Sequence, residues 1–153
     1  MQLGINKDLH VPIEVTPVYG AVLTDDTDPA SVVVDMQDYE ACEFIIHAFG
    51  RADATFTLVP ALAESDASTF GGEENAVADA DLLGTEALAG SDEADADDGG
   101  PGAIRKLGYV GSKRYLKLTV ANTGNDDTIG VSILVLRTRK NRTGIVLDTG
   151  QDG

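Results

Sequence analysis

Apolar and polar side chains alternate with a period of two along most of this chain, and no stretch holds the period of about 3.6 of an amphipathic helix for roughly three turns. Residues 11–24, VPIEVTPVYGAVLT, alternate early, but Pro12 and Pro17 interrupt any ladder, which predicts an edge strand or an extended arm. The acidic run at residues 25–29 carries turn chemistry, and Val32, Val33 and Val34 form a short β-branched strand. Residues 38–43 leave room for a turn before Phe44, Ile45, Ile46, His47, Ala48 and Phe49, an apolar run of strand length that predicts a central core strand. Residues 54–62 alternate through Phe56 and Leu58 until Pro60 closes the run, and with the short link after Phe49 the two runs predict a hairpin. Residues 104–110, 114–121 and 128–138 predict three further strands. The last has Ile129, Val131, Ile133 and Val135 on one face, while Leu134 and Leu136 make its other face apolar too. Residues 145–147 form a final short strand or arm.

Between these patterned segments, residues 64–102 are dominated by Ala, Asp, Glu, Gly and Ser, which predicts a long acidic, loop-rich insertion. Within it Val77, Leu82, Leu83 and Leu88 are the only large apolar residues between positions 76 and 90, so a short strand or helical turn near 76–84 is expected to touch the core. The 153 residues suit one domain. The expected fold is all-β: a single antiparallel β-sandwich or jelly-roll-like barrel over residues 1–153, with an N-terminal arm or edge strand at 1–20, the insertion at 64–102 and a C-terminal arm at 139–153. A core of Val, Ile, Leu and Ala is implied, because aromatics are 5% of residues and Trp is absent.

Charge narrows the function classes. The formal net charge is −15, a poor starting point for binding polyanions, so no nucleic-acid partner is expected. The charge is unevenly divided. Residues 1–100 hold all but four of the 26 acids and only two bases, Lys7 and Arg51, whereas the remaining nine bases lie beyond residue 101. The expected partner of those bases is the acidic part of the same fold; a basic docking face for an acidic protein surface is the sharper alternative. No apolar run reaches the roughly 18 residues of a membrane span, so no membrane partner is expected.

Candidate chemistry is sparse. Asp92, Glu93, Asp95, Asp97 and Asp98 invite calcium, but Lys106 stands where an EF-hand begun at Asp95 needs its bidentate Glu. Cys42, the only cysteine, and His47 are five residues apart, an odd spacing that puts them on opposite faces of a strand and argues against a thiol–imidazole pair. The glycine pairs lack the Lys-Ser/Thr ending of a phosphate loop. Neither a catalytic residue, a metal site nor a cofactor is expected.

Three stretches in order carry a resemblance: residues 35–46, DMQDYEACEFII; residues 57–66, TLVPALAESD, with 77–85, VADADLLGT; and residues 106–118, KLGYVGSKRYLKL. Together they resemble small proteins encoded beside the major capsid protein gene of tailed bacteriophages, some of them capsid decoration or cement proteins. The similarity covers roughly residues 30–138, with GYVGSKRY its most specific piece. The resemblance implies a nonenzymatic virion protein, made in the host cytoplasm, that binds the outer capsid surface and stabilises it, with the major capsid protein and further copies of itself as partners and a trimer as the habit of the group. The acidic 91–98 segment and the basic-tinged tail depart from that pattern. A head-to-tail connector, a tail structural protein, or a host-surface or carbohydrate-binding module on the virion are the alternatives, the last weakened by the absence of Trp. The residues expected at a capsid or subunit interface are Leu3, Ile5, Val11, Ile13 and Val15 at the start, Lys113, Arg114 and Lys117 in the middle, and Arg139, Lys140, Arg142, Ile145, Val146 and Leu147 at the end, where charge serves encounter and apolar side chains serve holding.

Overall fold

Period-two alternation becomes two stacked antiparallel sheets. The computed structural model describes residues 13–49, 56–72, 74–92, 102–124 and 128–139. Ten strands are placed among them: β1 (Ile13–Thr24), β2 (Val32–Asp35), β3 (Tyr39–Phe49), β4 (Thr57–Ser65), β5 (Asn75–Ala76), β6 (Leu82–Leu83), β7 (Ser91–Asp92), β8 (Ala103–Tyr109), β9 (Tyr115–Thr123) and β10 (Thr128–Arg139). Among the described residues strand takes 64% and helix 7%, which makes the fold all-β. Sheet A runs β1-β10-β3-β8-β6 and sheet B runs β2-β9-β4-β5, with β7 also on β4.

The core lies between the sheets. Phe44, Leu107, Tyr109, Leu116 and Val131 are fully enclosed there, among alternate residues of β3, β8, β9 and β10. Each of these strands sends every second side chain inward, as the pleat dictates. The strand orders β1-β10-β3-β8 and β2-β9-β4-β5 are those of a jelly roll, with β6 and β7 as additions at the margins. Of the two expected forms the sandwich is the one observed: among the described residues the sheets do not close into a barrel.

β1 is an edge strand, as its prolines require. Among the described residues it pairs with β10 alone, and its register shifts between Pro17 and Tyr19, so Pro17 sits beside a bulge rather than in an unbroken ladder. β3 is central, between β10 and β8.

Three local expectations are corrected. The turn expected at residues 38–43 is confined to Gln37 and Asp38, with Asp38 at φ 71°, and Tyr39 to Glu43 already belong to β3. The runs now seen as β3 and β4 do not form a hairpin: β3 belongs to sheet A and β4 to sheet B. Pro60 does not close β4 either, but pairs opposite Val120 in mid-strand. The reason lies on the other side of β4. Leu62 N–H donates to Glu86 Oε1 at 2.6 Å, so the groups in phase with it point away from β9. Pro60 shares that phase and falls between the stretches paired with β7 and β5, where its missing N–H is not needed.

The described part of the insertion, residues 64–72 and 74–92, holds more regular structure than its composition predicts. Val77 and Ala89 are buried in the core, a 3-10 turn spans Asp79–Asp81, and α1 (Glu86–Ala89) is capped by Thr85, whose hydroxyl accepts from Leu88 N–H at 3.1 Å. The segment at 93–101 and the arms at 1–12 and 140–153 lie outside the described residues.

Candidate interaction surface

The bases of the second part of the chain meet acids of the first. Lys106 pairs with Glu43 at 3.4 Å, Lys113 with Asp66, Lys117 with Glu74, and Arg137 and Arg139 both with Glu14. Arg114 meets Asp35 side-on, Nε donating to Oδ1 at 3.1 Å and Nη2 to Oδ2 at 2.9 Å. Thus the internally paired alternative is the one the geometry draws, and no strong uncompensated basic face is built from Lys113, Arg114, Lys117 and Arg139.

Three strands bring part of this charge to one end of the sandwich. Ile13 pairs with Thr138 and Arg139 with Tyr39, so the start of β1, the end of β10 and the start of β3 converge beside the end of β2. There Glu14 accepts hydrogen bonds from Tyr39 Oη and Arg137 Nη2, while Arg137 Nη1 donates to Asp35 O at 2.9 Å and its guanidinium lies 4.2 Å from the Tyr39 ring centroid. The Tyr39 hydroxyl, with the two arginines beyond it, holds the Glu14 carboxyl below its ordinary range; Arg114 does the same for Asp35. Chemically this network is saturated with opposite charge. It fixes strand ends; it offers no poised acid or base.

The GYVGSKRY run serves the fold. Tyr109 is enclosed, its hydroxyl donates to Glu64 Oε2 at 2.8 Å and accepts from Lys113 N–H at 2.9 Å, and burial pushes its ionisation upward. Arg114, besides holding Asp35, lies 4.9 Å from the Tyr115 ring centroid. A cleft of about 480 Å³ opens between this loop and the β2–β3 turn, lined by Met36, Gln37, Asp38, Tyr39, Ser112 and Lys113 among others.

Cys42 and His47 occupy opposite faces of β3, as their spacing requires. The thiol faces the core and burial pushes it up to about 12, whereas His47 is half-buried on the outer face with its ring 5.1 Å from that of Phe49. Among the described residues no group of three or more His, Cys, Asp or Glu could hold a metal ion, and no helix is long and apolar enough to cross a membrane. The acidic residues 93–98 lie outside the described residues.

The outer face of sheet A was not singled out by the sequence as a site, although the two-faced apolar pattern of β10 pointed to it. Cross-strand partners share a face. One row is Val15, Leu136, Glu43 and Gly108; the next is Pro17, Leu134, Ile45 and Lys106; then Gly20, Ser132, His47 and Ile104; then Val22, Gly130 and Phe49. Leu83 of β6 extends the first row opposite Gly108. Val15, Val22 and Ile104 are each more than half exposed. Gly130 matters here because a Cβ would come within 2.6 Å of the Phe49 ring, so its absence gives that ring its place beside β10. Among the described residues this face bears one charged pair, Glu43 with Lys106.

Of the residues expected at an interface, Ile13 and Val15 reach the apolar face, both on the outward side of β1. Lys113, Arg114, Lys117 and Arg139 stand in the ion pairs above. Leu3, Ile5, Val11, Lys140, Arg142, Ile145, Val146 and Leu147 lie outside the described residues. Comparison with protein-family models, curated proteins and solved structures finds no match.

Proposed function

We propose that this chain is a nonenzymatic decoration, or cement, protein of a tailed-phage capsid, binding the outer surface of the major capsid protein shell and residing on the virion. The observation that carries the proposal is the combination of an internally neutralised charge network with a sheet face that bears one charged pair: the chemistry of a protein that associates with other protein surfaces, copies of itself included. The jelly-roll strand order supports it by analogy alone, since viral capsid domains often use that architecture and lectin domains do as well. The resemblance of residues 35–46, 57–66 with 77–85, and 106–118 points the same way. Many copies on a symmetric shell let a modest contact per copy suffice.

Cosedimentation of the purified protein with undecorated shells tests this. Saturable binding at a fixed copy number per capsid, together with shells that withstand more heat, is the expected result. Failure to bind any shell, with binding instead to tail assemblies or host-surface glycans, would overturn it.

A further inference from the structure

We infer that the outer face of sheet A seats a second copy of this chain, packed sheet to sheet about a two-fold axis. The inference goes beyond the capsid proposal and does not rest on it. The face spans five strands, and at about 4.8 Å per strand and about 3.3 Å per residue its rows from Val15 to Val22 cover on the order of 500 Å². Nine of the sixteen positions named on it carry apolar side chains, and the rest are three glycines, Ser132, His47 and the Glu43–Lys106 pair. Two such faces brought together bury on the order of 1,000 Å², the lower bound for a specific interface.

Charge selects the occupant. The chain carries a net charge of −15, so two copies repel wherever acid-rich surfaces meet. The outer face of sheet A offers one route of approach without that cost, because Glu43 and Lys106 cancel each other there and the remaining positions named above are neutral or histidine. A basic partner would be drawn to the acidic surfaces instead. An extended segment of this chain, such as residues 1–12, would cover a strip one strand wide, about 5 Å of a face about 24 Å across. A second sheet covers all of it, since apolar sheet faces stack about 10 Å apart with their strands nearly aligned. A patch that is complementary to itself closes as a pair. The geometry therefore points to a two-fold dimer in place of the three-fold ring that decoration proteins favour.

Sedimentation equilibrium of the full chain without shells tests the pairing separately from capsid binding. The expected mass is twice 16.0 kDa at tens of micromolar, roughly the affinity a small interface supports. Ile104→Glu and Val22→Glu place a charge on exposed positions of the face and should each weaken the dimer at least tenfold while the far-UV spectrum stays the same. Val59→Glu, on the exposed outer side of β4, should leave the mass unchanged. If a glutamate variant fails to fold, the double variant Val15→Thr with Val22→Thr lowers apolarity without charge and should still weaken pairing. A monomeric wild-type chain, a trimer, or a dimer indifferent to the folded face variants would each overturn the inference.

Discussion

The Tyr109 ring lies where a side chain on Gly111 would have to stand: a Cβ there would fall 2.5 Å from Cζ. The glycine makes room for a phenol whose hydroxyl joins Glu64 to the Lys113 backbone. Gly111→Ala should therefore destabilise the fold by about 1–3 kcal/mol, the usual cost of overpacking a tight site. Tyr109→Phe, which keeps the ring and removes the bonds, should cost about 1–2 kcal/mol. Urea midpoints of the two variants check both figures, and a neutral Gly111→Ala would show that the ring has room to move.

Asn122 ties the β1–β2 turn to β9. Its Nδ2 donates to Asp25 O and Thr27 O, both at 3.1 Å, and its backbone N–H donates to Asp28 Oδ1 at 2.7 Å. The side chain is buried, so Asn122→Ala leaves two carbonyls without their donor and should cost about 1–3 kcal/mol. Asn122→Asp should be worse, because a carboxylate would face those carbonyls. Thermal unfolding of the pair of variants measures the order.

The native thiol should be inert. Cys42 faces the core and its thiol is pushed up to about 12 by burial, so at pH 8 a disulfide reagent should titrate no thiol until denaturant is added, and one per chain thereafter. Because the folded value lies above the ordinary 9.0, the group supports the fold below pH 9 and withdraws that support as pH rises toward 12. Rapid labelling of the folded chain would contradict the placement of β3.

Acid should weaken the end of the sandwich where Glu14 and Asp35 sit. Both carboxyls are held below their ordinary values of 4.5 and 3.8, so their contribution is present above those values and is lost as pH falls below them. Both are partly exposed, and solvent screening keeps the effect modest. The expected outcome is a urea midpoint that declines from pH 5 to pH 3, with a shallower decline in Glu14→Gln. An identical decline in that variant would remove Glu14 from the account.

What the sequence disclosed and what it hid follow from the range of the physics. The pleat is local, so alternation located the major strands, and odd spacing separated Cys42 from His47. The prolines marked β1 as an edge because a missing donor is a local fact. Pairing is not local. Phe49 and Thr57 are near in sequence, yet they head into different sheets, and the partner of Glu14 is Arg137, which periodicity does not reveal. Pro60 misled for the same cause: only the arrangement of β5, β7 and α1 beside β4 shows that its donor is dispensable. The apolar outer face was half legible, through Leu134 and Leu136, but one strand cannot tell whether its second face meets a helix, another sheet or water.

The alternation of the longer strands between sheets has a consequence for synthesis. β1, β3, β8 and β10 lie in sheet A and β2, β4 and β9 in sheet B, and β1 pairs with β10. Among the described strands, the first translated therefore waits for the last. On a ribosome adding residues at about 5–20 per second, the N-terminal edge spends several seconds without its ladder, and closure of the largest loop comes at the end, the slow step of a high-contact-order topology. The prolines and the bulge in β1 then protect the nascent chain, since an interrupted strand is a poor template for the wrong partner during that wait.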